Sequence, residues 1–219
     1  MMQLGKNPWS RYQSGGMGIF GVFLITPFLV MLISTAIFIE NHSHGWKGVY
    51  STPHTRSSIF YAKLCVIIGI CITTIIISII LNLIGAYVLD YLLPEIEFRH
   101  YDMRLFTFLP SYIHVLISTL GIIGIQYFLS YRFKGFLIPM SFGIIAYIVG
   151  FIIGTTNKPL ALYSPYSYPS IVRDYQMFTI DKIGIIQYGW LNSVEWRSIF
   201  IFILFIILAN VLEVRKNIS

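Results

Sequence analysis

The sequence predicts an all-α, polytopic transmembrane helix bundle of about five spans, and three observations carry that prediction. Charged residues make up only 11% of the 219 residues, while hydrophobic residues make up 56% and the mean hydropathy is +0.74. A soluble domain needs roughly a quarter of its residues charged, so a bilayer is the fitting solvent. Five apolar runs also approach the roughly 20 residues needed to cross about 30 Å of hydrocarbon. Finally, the charges collect between those runs and leave their middles free.

The first run, 17–39, contains Pro27 and is longer than the hydrophobic core of a signal peptide, with no A-x-A site after it. The second, 64–88, holds both cysteines. Cys65 and Cys71 are six residues apart on one helix, point to different sides, and read as small core residues rather than as a pair or a chelate. The third and fourth, 106–131 and 135–154, carry Pro110 and Pro139, whose freed carbonyls neighbouring helices can satisfy. The Gly121–Gly124 and Gly143–Gly150 spacings predict close helix packing. The fifth run, 196–212, is short, and Arg197 near its start can snorkel to the interface. Only Asn82, His114 and Gln126 are strongly polar within the runs. They read as interhelical hydrogen bonds rather than as the ionisable relay of a proton- or ion-driven pump.

Short basic loops set the orientation. Segment 40–63 carries Lys47, Arg56 and Lys63, the turn 131–135 carries Arg132 and Lys134, and the tail carries Arg215 and Lys216. All fall on one side, which is therefore assigned to the cytoplasm together with the C-terminus. The other side receives Asp90, Glu95, Glu97 and Asp102 and the long external loop 155–195. The N-terminal segment 1–16 is then external despite Lys6 and Arg11. The 15 Lys and Arg never form a run, so the net charge of +6 reflects topology and not nucleic-acid binding.

Segment 40–63 is the most distinctive part of the chain. It contains Glu40, Gly45-Trp46-Lys47, Pro53, Arg56, Tyr61 and Lys63. Its length suits either a short helix across the membrane face, anchored by Trp46 and Tyr61 and able to dock into a partner, or an ordinary amphipathic connector. His42, His44 and His54 lack the i, i+4 spacing and the supporting Cys or carboxylates of a metal site. The Tyr- and Pro-rich stretch 157–169 predicts irregular extended chain at the interface that caps the bundle, and 183–191 predicts an interfacial apolar segment. No nucleophile elbow, zinc-helix motif or Walker phosphate loop occurs. No catalytic, cofactor or metal-binding residue is therefore assigned.

Asn7-Pro8-Trp9 with Tyr12, then Pro27, then Glu40…Gly45-Trp46-Lys47…Tyr50…Pro53…Arg56…Tyr61-Ala62-Lys63, resembles the permease subunits of ABC exporters of the ABC-2 type, in the lantibiotic-immunity and bacitracin-export group. The 126–134 stretch and Pro139 fit the same pattern. The resemblance implies a multi-pass cell-membrane protein forming one permease domain over 1–219. It implies no cofactor of the chain's own, ATP being bound by a separate nucleotide-binding ATPase, and pairing with a second permease copy or a homologous permease. It implies an amphiphilic substrate, a peptide antibiotic or a lipid-like molecule, and it makes 40–63 the loop whose coupling helix meets the ATPase. The family pattern places one more helix ahead of Asn7, so the chain is expected to lack the first span. Two other readings stay open: an immunity or assembly protein working without ATP, and a membrane-embedded lipid-processing enzyme using Glu40, His42, His44 or the 95–102 acids.

Overall fold

The computed structural model describes residues 8–42, 55–96, 101, 105–133, 135–174 and 191–215. Among these, the chain is almost entirely helical and contains no strand. Helix α1 (Pro8–Gly18) runs through a π-helical segment (Ile19–Leu24) into α2 (Ile25–His42). Then come α3 (Arg56–Leu92), α4 (Leu105–Arg132), α5 (Leu137–Thr156), the single turn α6 (Lys158–Ala161), a 3-10 turn (Pro165–Ser167) leading into helical residues 168–174, and α7 (Ser193–Arg215).

Among the described residues four helices, α3, α4, α5 and α7, are long and apolar enough to cross a membrane, and a shorter apolar helix spans Ile25–Ile39. The first predicted run is therefore composite. Pro27 has no N–H to give to the carbonyl four residues back, and just upstream the ladder steps to i→i−5, with Ile25 N–H on Phe20 O.

The α3 helix exceeds its apolar run. Thr55 caps it, its side chain accepting from Ser58 N, and the helix then continues for 37 residues, about 55 Å at 1.5 Å per residue. That is well beyond the hydrocarbon thickness, so the helix tilts or extends past the apolar layer, and its basic residues lie in its first two turns. The segment between α2 and α3 is consequently 43–55 rather than 40–63. Glu40 lies in the last turn of α2, and Arg56, Tyr61 and Lys63 lie on the first two turns of α3.

The 157–174 stretch does cap one end of the bundle, but as short helical turns instead of extended chain. Asn157 Oδ1 accepts from Leu160 N, and Pro159 and Pro165 stand at turn starts, where a missing N–H costs nothing. Tyr166 and Tyr168 are buried beneath these turns. Burial raises the pKa of both phenols, with Arg197 partly offsetting the rise at Tyr168, so both stay neutral. The apolar stretch 183–190 lies outside the described residues.

Helices α4 and α7 run parallel, their contacts keeping a sequence offset between 77 and 81, with α5 folded back between them in sequence. The ends of α2, α4 and α7 and the starts of α3 and α5 therefore gather at one end of the bundle, called here the loop end. The far end holds 157–174 and the start of α7. Helix α1 packs there against the second half of α3, Trp9 meeting Tyr87 with ring centroids 6.0 Å apart.

Candidate functional site

Of the eight residues predicted to form the coupling loop, Gly45, Trp46, Lys47 and Pro53 lie outside the described residues. Glu40 and Arg56 are placed by their backbone at the helix ends flanking the segment. Tyr61 and Lys63 are placed fully, on α3.

The start of α3 is braced by the ends of α4 and α7. Phe60 is 1% exposed and sits in an aromatic box with Tyr127 and Tyr131, at centroid distances of 5.1 and 5.3 Å. Such pairs add about 1 kcal/mol beyond burial. The Tyr127 hydroxyl donates to the Phe60 carbonyl at 3.0 Å. On the other side, Asn210 of α7 donates from Nδ2 to the Tyr61 hydroxyl at 3.2 Å and accepts at Oδ1 from the Ser57 hydroxyl at 3.3 Å. Below this point α3 presents Leu64, Ile67, Cys71 and Ile75 to the core at helical spacing while Cys65 faces outward, as the cysteine spacing predicts. Phe38 of α2 meets Phe136 at the start of α5, 5.7 Å between centroids. Both helix ends bounding the 43–54 segment are thus tied to the bundle, α3 by aromatic packing and neutral hydrogen bonds.

The interior is held by polar contacts of another kind. Gln126 Nε2 donates to Ser34 Oγ at 2.8 Å and to the Pro139 carbonyl at 2.7 Å, and Oε1 accepts from Tyr166 at 3.4 Å. This is the interhelical bonding its position predicts, joining α2, α4, α5 and the far-end cap. The glycines behave as their spacing predicts. A Cβ on Gly124 would stand 2.8 Å from Phe202 Cα, and one on Gly143 would stand 2.6 Å from Val30 Cγ1. At Gly121 the Ser198 hydroxyl enters the α4 ladder, accepting from Gly121 N at 2.8 Å and donating to Ile117 O at 2.9 Å. Asn82 departs from expectation: it lies against Gly16, and its Oδ1 is buried without a hydrogen-bond partner.

His114 does bond across helices, but its partner was not foreseen. Its Nδ1 lies 2.5 Å from Oε1 of Glu195, which is 1% exposed. Glu195 Oε2 also accepts from the Asn192 backbone N–H at 2.6 Å. Hydropathy leaves Glu195 in the external loop. The signal that marks it is the Asn192-Ser193-Val194-Glu195 sequence, a helix-start pattern in which the fourth residue reaches back to the first.

Among the described residues there is no group of three or more His, Cys, Asp or Glu able to hold a metal ion. The arrangement is a helical framework in which the helix ends flanking 43–54 are tied to the bundle. A family model described as ABC-2 family transporter protein matches residues 2–150, from the N-terminal segment to the second turn from the end of α5. No curated protein and no solved structure matches the chain.

Proposed function

The chain belongs to the ABC-2 family of transporter proteins, and from that premise we propose that it is the permease subunit of an exporter driven by a separate nucleotide-binding ATPase. Family membership together with the apolar helices makes it a membrane permease of the ABC type. The finer reading is that the loop end faces the cytoplasm, with the C-terminus, and that the 40–63 region is where the ATPase engages. On this reading Gly45, Trp46, Lys47 and Pro53 meet the ATPase, Glu40 stands in the last turn of α2 and Arg56 at the start of α3 on either side, and Tyr61 and Lys63 carry the movement into α3.

The observation that supports this best is the tether at the start of α3. A helix that is longer than the hydrocarbon layer is thick and is pinned by Phe60, Tyr127, Tyr131 and Asn210 can transmit a push on 43–54 to α4 and α7. Closure of the ATPase on ATP would then shift the population between two packings of the bundle. The bundle works with a second permease copy or a homologous permease, in the cell membrane, on an amphiphile such as a peptide antibiotic or lipid-like molecule, as in the lantibiotic-immunity and bacitracin group. ATP is bound by the partner alone.

Trp46→Ala and Arg56→Ala test the coupling role. The expected outcome is reduced co-purification of the ATPase, or hydrolysis no longer stimulated by the permease. Unchanged association with unchanged stimulation would remove 40–63 from the mechanism.

A further inference from the structure

At the far end of the bundle an open groove of about 480 Å³ lies between the first turns of α7 and the cap, with Tyr163, Trp196, Arg197 and Phe200 among its walls. Its size is in the range of small-ligand clefts. Tyr163 is 79% exposed, Trp196 56% and Phe200 68%, so the groove opens outward rather than into the bundle. Below it, Phe200, Ile203, Leu204 and Ile207 are exposed at i, i+3, i+4 and i+7. They form one stripe along the side of a helix long and apolar enough to cross a membrane.

Arg197 is the charged group in this setting. One of its N–H groups donates to the Leu162 carbonyl at 2.9 Å, an oxygen that also accepts from Tyr168 at 3.2 Å. The guanidinium lies 5.9 Å from the Tyr163 ring centroid. Among the described residues it has no carboxylate within ion-pair distance. Glu195, two residues away, is committed to His114 and Asn192 N–H. The cation also stands in the second turn of α7, near the positive end of the helix dipole, where an anion is favoured. A guanidinium with free donors in a planar fork matches phosphate oxygens two at a time.

We propose that this groove seats the headgroup of an anionic membrane phospholipid, its phosphodiester on Arg197, its polar edge against Tyr163 and Trp196, and an acyl chain along the Phe200–Ile207 stripe. Every phospholipid offers Arg197 a phosphodiester, but a zwitterionic lipid sets its own cation beside the guanidinium while an anionic one does not, so charge complementarity selects the anionic headgroup, and continuity with the lipid-facing stripe selects a lipid over a soluble anion. The groove lies beyond the part of the chain matched by the family model, and the assignment does not depend on the ATPase reading.

The test is competition for bound lipid. The purified chain is reconstituted in bilayer discs of mixed phosphatidylglycerol and phosphatidylcholine, and lipid retained on extraction is read by native mass spectrometry. A charge-assisted paired contact predicts roughly tenfold enrichment of phosphatidylglycerol, reduced to parity in Arg197→Gln and partly retained in Arg197→Lys. Inorganic phosphate at millimolar concentration should leave the enrichment intact. Enrichment unchanged in Arg197→Gln, no enrichment in the native chain, or its loss to inorganic phosphate would each overturn the proposal. If Arg197→Gln fails to fold, Phe200→Ser is read instead by the amount of phosphatidylglycerol retained, which should fall several-fold; an unchanged amount would overturn the proposal.

Discussion

Helices α3 and α7 are both long and apolar, and each has 22% of its most hydrophobic window buried, yet they are held in different ways. Helix α7 lies on α4 backbone to backbone, with Gly121 and Gly124 admitting Ser198 and Phe202, a hydroxyl set into the neighbouring ladder, and a buried Glu195 bonded to the half-buried His114 at its start. Helix α3 meets the core through a stripe of bulky side chains, is tied at its first turns by Phe60, Tyr61 and Ser57, and in its second half packs against α1 around Trp9 and Ala86. Equal burial therefore does not mean equal mobility. Contacts between backbones and inserted polar groups fix a register, whereas side chains sliding on side chains permit tilt. The α4–α7 contact is the more firmly registered of the two, and in the proposed mechanism α3 is the lever that moves against it.

The largest expected effect would break this contrast if it failed. Gly124→Leu drives a side chain into Phe202 Cα and should destabilise by about 3 kcal/mol. Gly69→Leu on α3, where nothing lies within 4 Å of a new Cβ, should leave stability unchanged. Size-exclusion profiles and thermal melting of the two variants give the comparison directly. Close behind comes Glu195→Ala, which leaves His114 and the Asn192 N–H without their buried acceptor. A loss of about 3 kcal/mol is expected, and combining it with His114→Ala should give much less than the sum of the two, measured as a double-mutant cycle.

Two smaller changes address the lever. Tyr127→Phe removes the hydroxyl from the Phe60 carbonyl and should cost about 1 kcal/mol in melting, while lowering permease-stimulated ATP hydrolysis by more than that loss explains. Asn210→Ala should cost about 0.6 kcal/mol, the usual scale of an interhelical hydrogen bond in a membrane protein. It should also weaken stimulation through Tyr61 and Ser57. If either variant lost stability and kept full stimulation, the tether would be structural only.

Much of this was legible in the sequence because hydrocarbon imposes simple rules. Apolar runs mark helices, paired glycines mark close approach, and an amide such as Gln126 must find partners on other helices. What was hidden has equally plain reasons. Arg56 and Lys63 masked the first turns of α3, since hydropathy ends a span at a charge whether or not the helix continues into the headgroup layer. Glu195 fell outside its apolar run and pairs with a residue 81 positions away, a separation no local pattern reports. Pro159 and Pro165 suggested extended chain because proline is read as a breaker, although the start of a helical turn is where it fits. The identities of Gly45, Trp46 and Lys47 carried the resemblance, and their role rests on it.

The central claim is that α3 moves against a fixed α4–α7 frame when the ATPase partner binds ATP. With Cys65 and Cys71 replaced, spin labels at Ala62 and Arg132 report α3 against α4, and labels at Arg132 and Val214 report the frame. Pulsed electron spin resonance on the assembled transporter, nucleotide-free and trapped with ATP, should show the first distance change while the second stays fixed. A first distance that is unchanged, or a second that moves with it, would contradict the account.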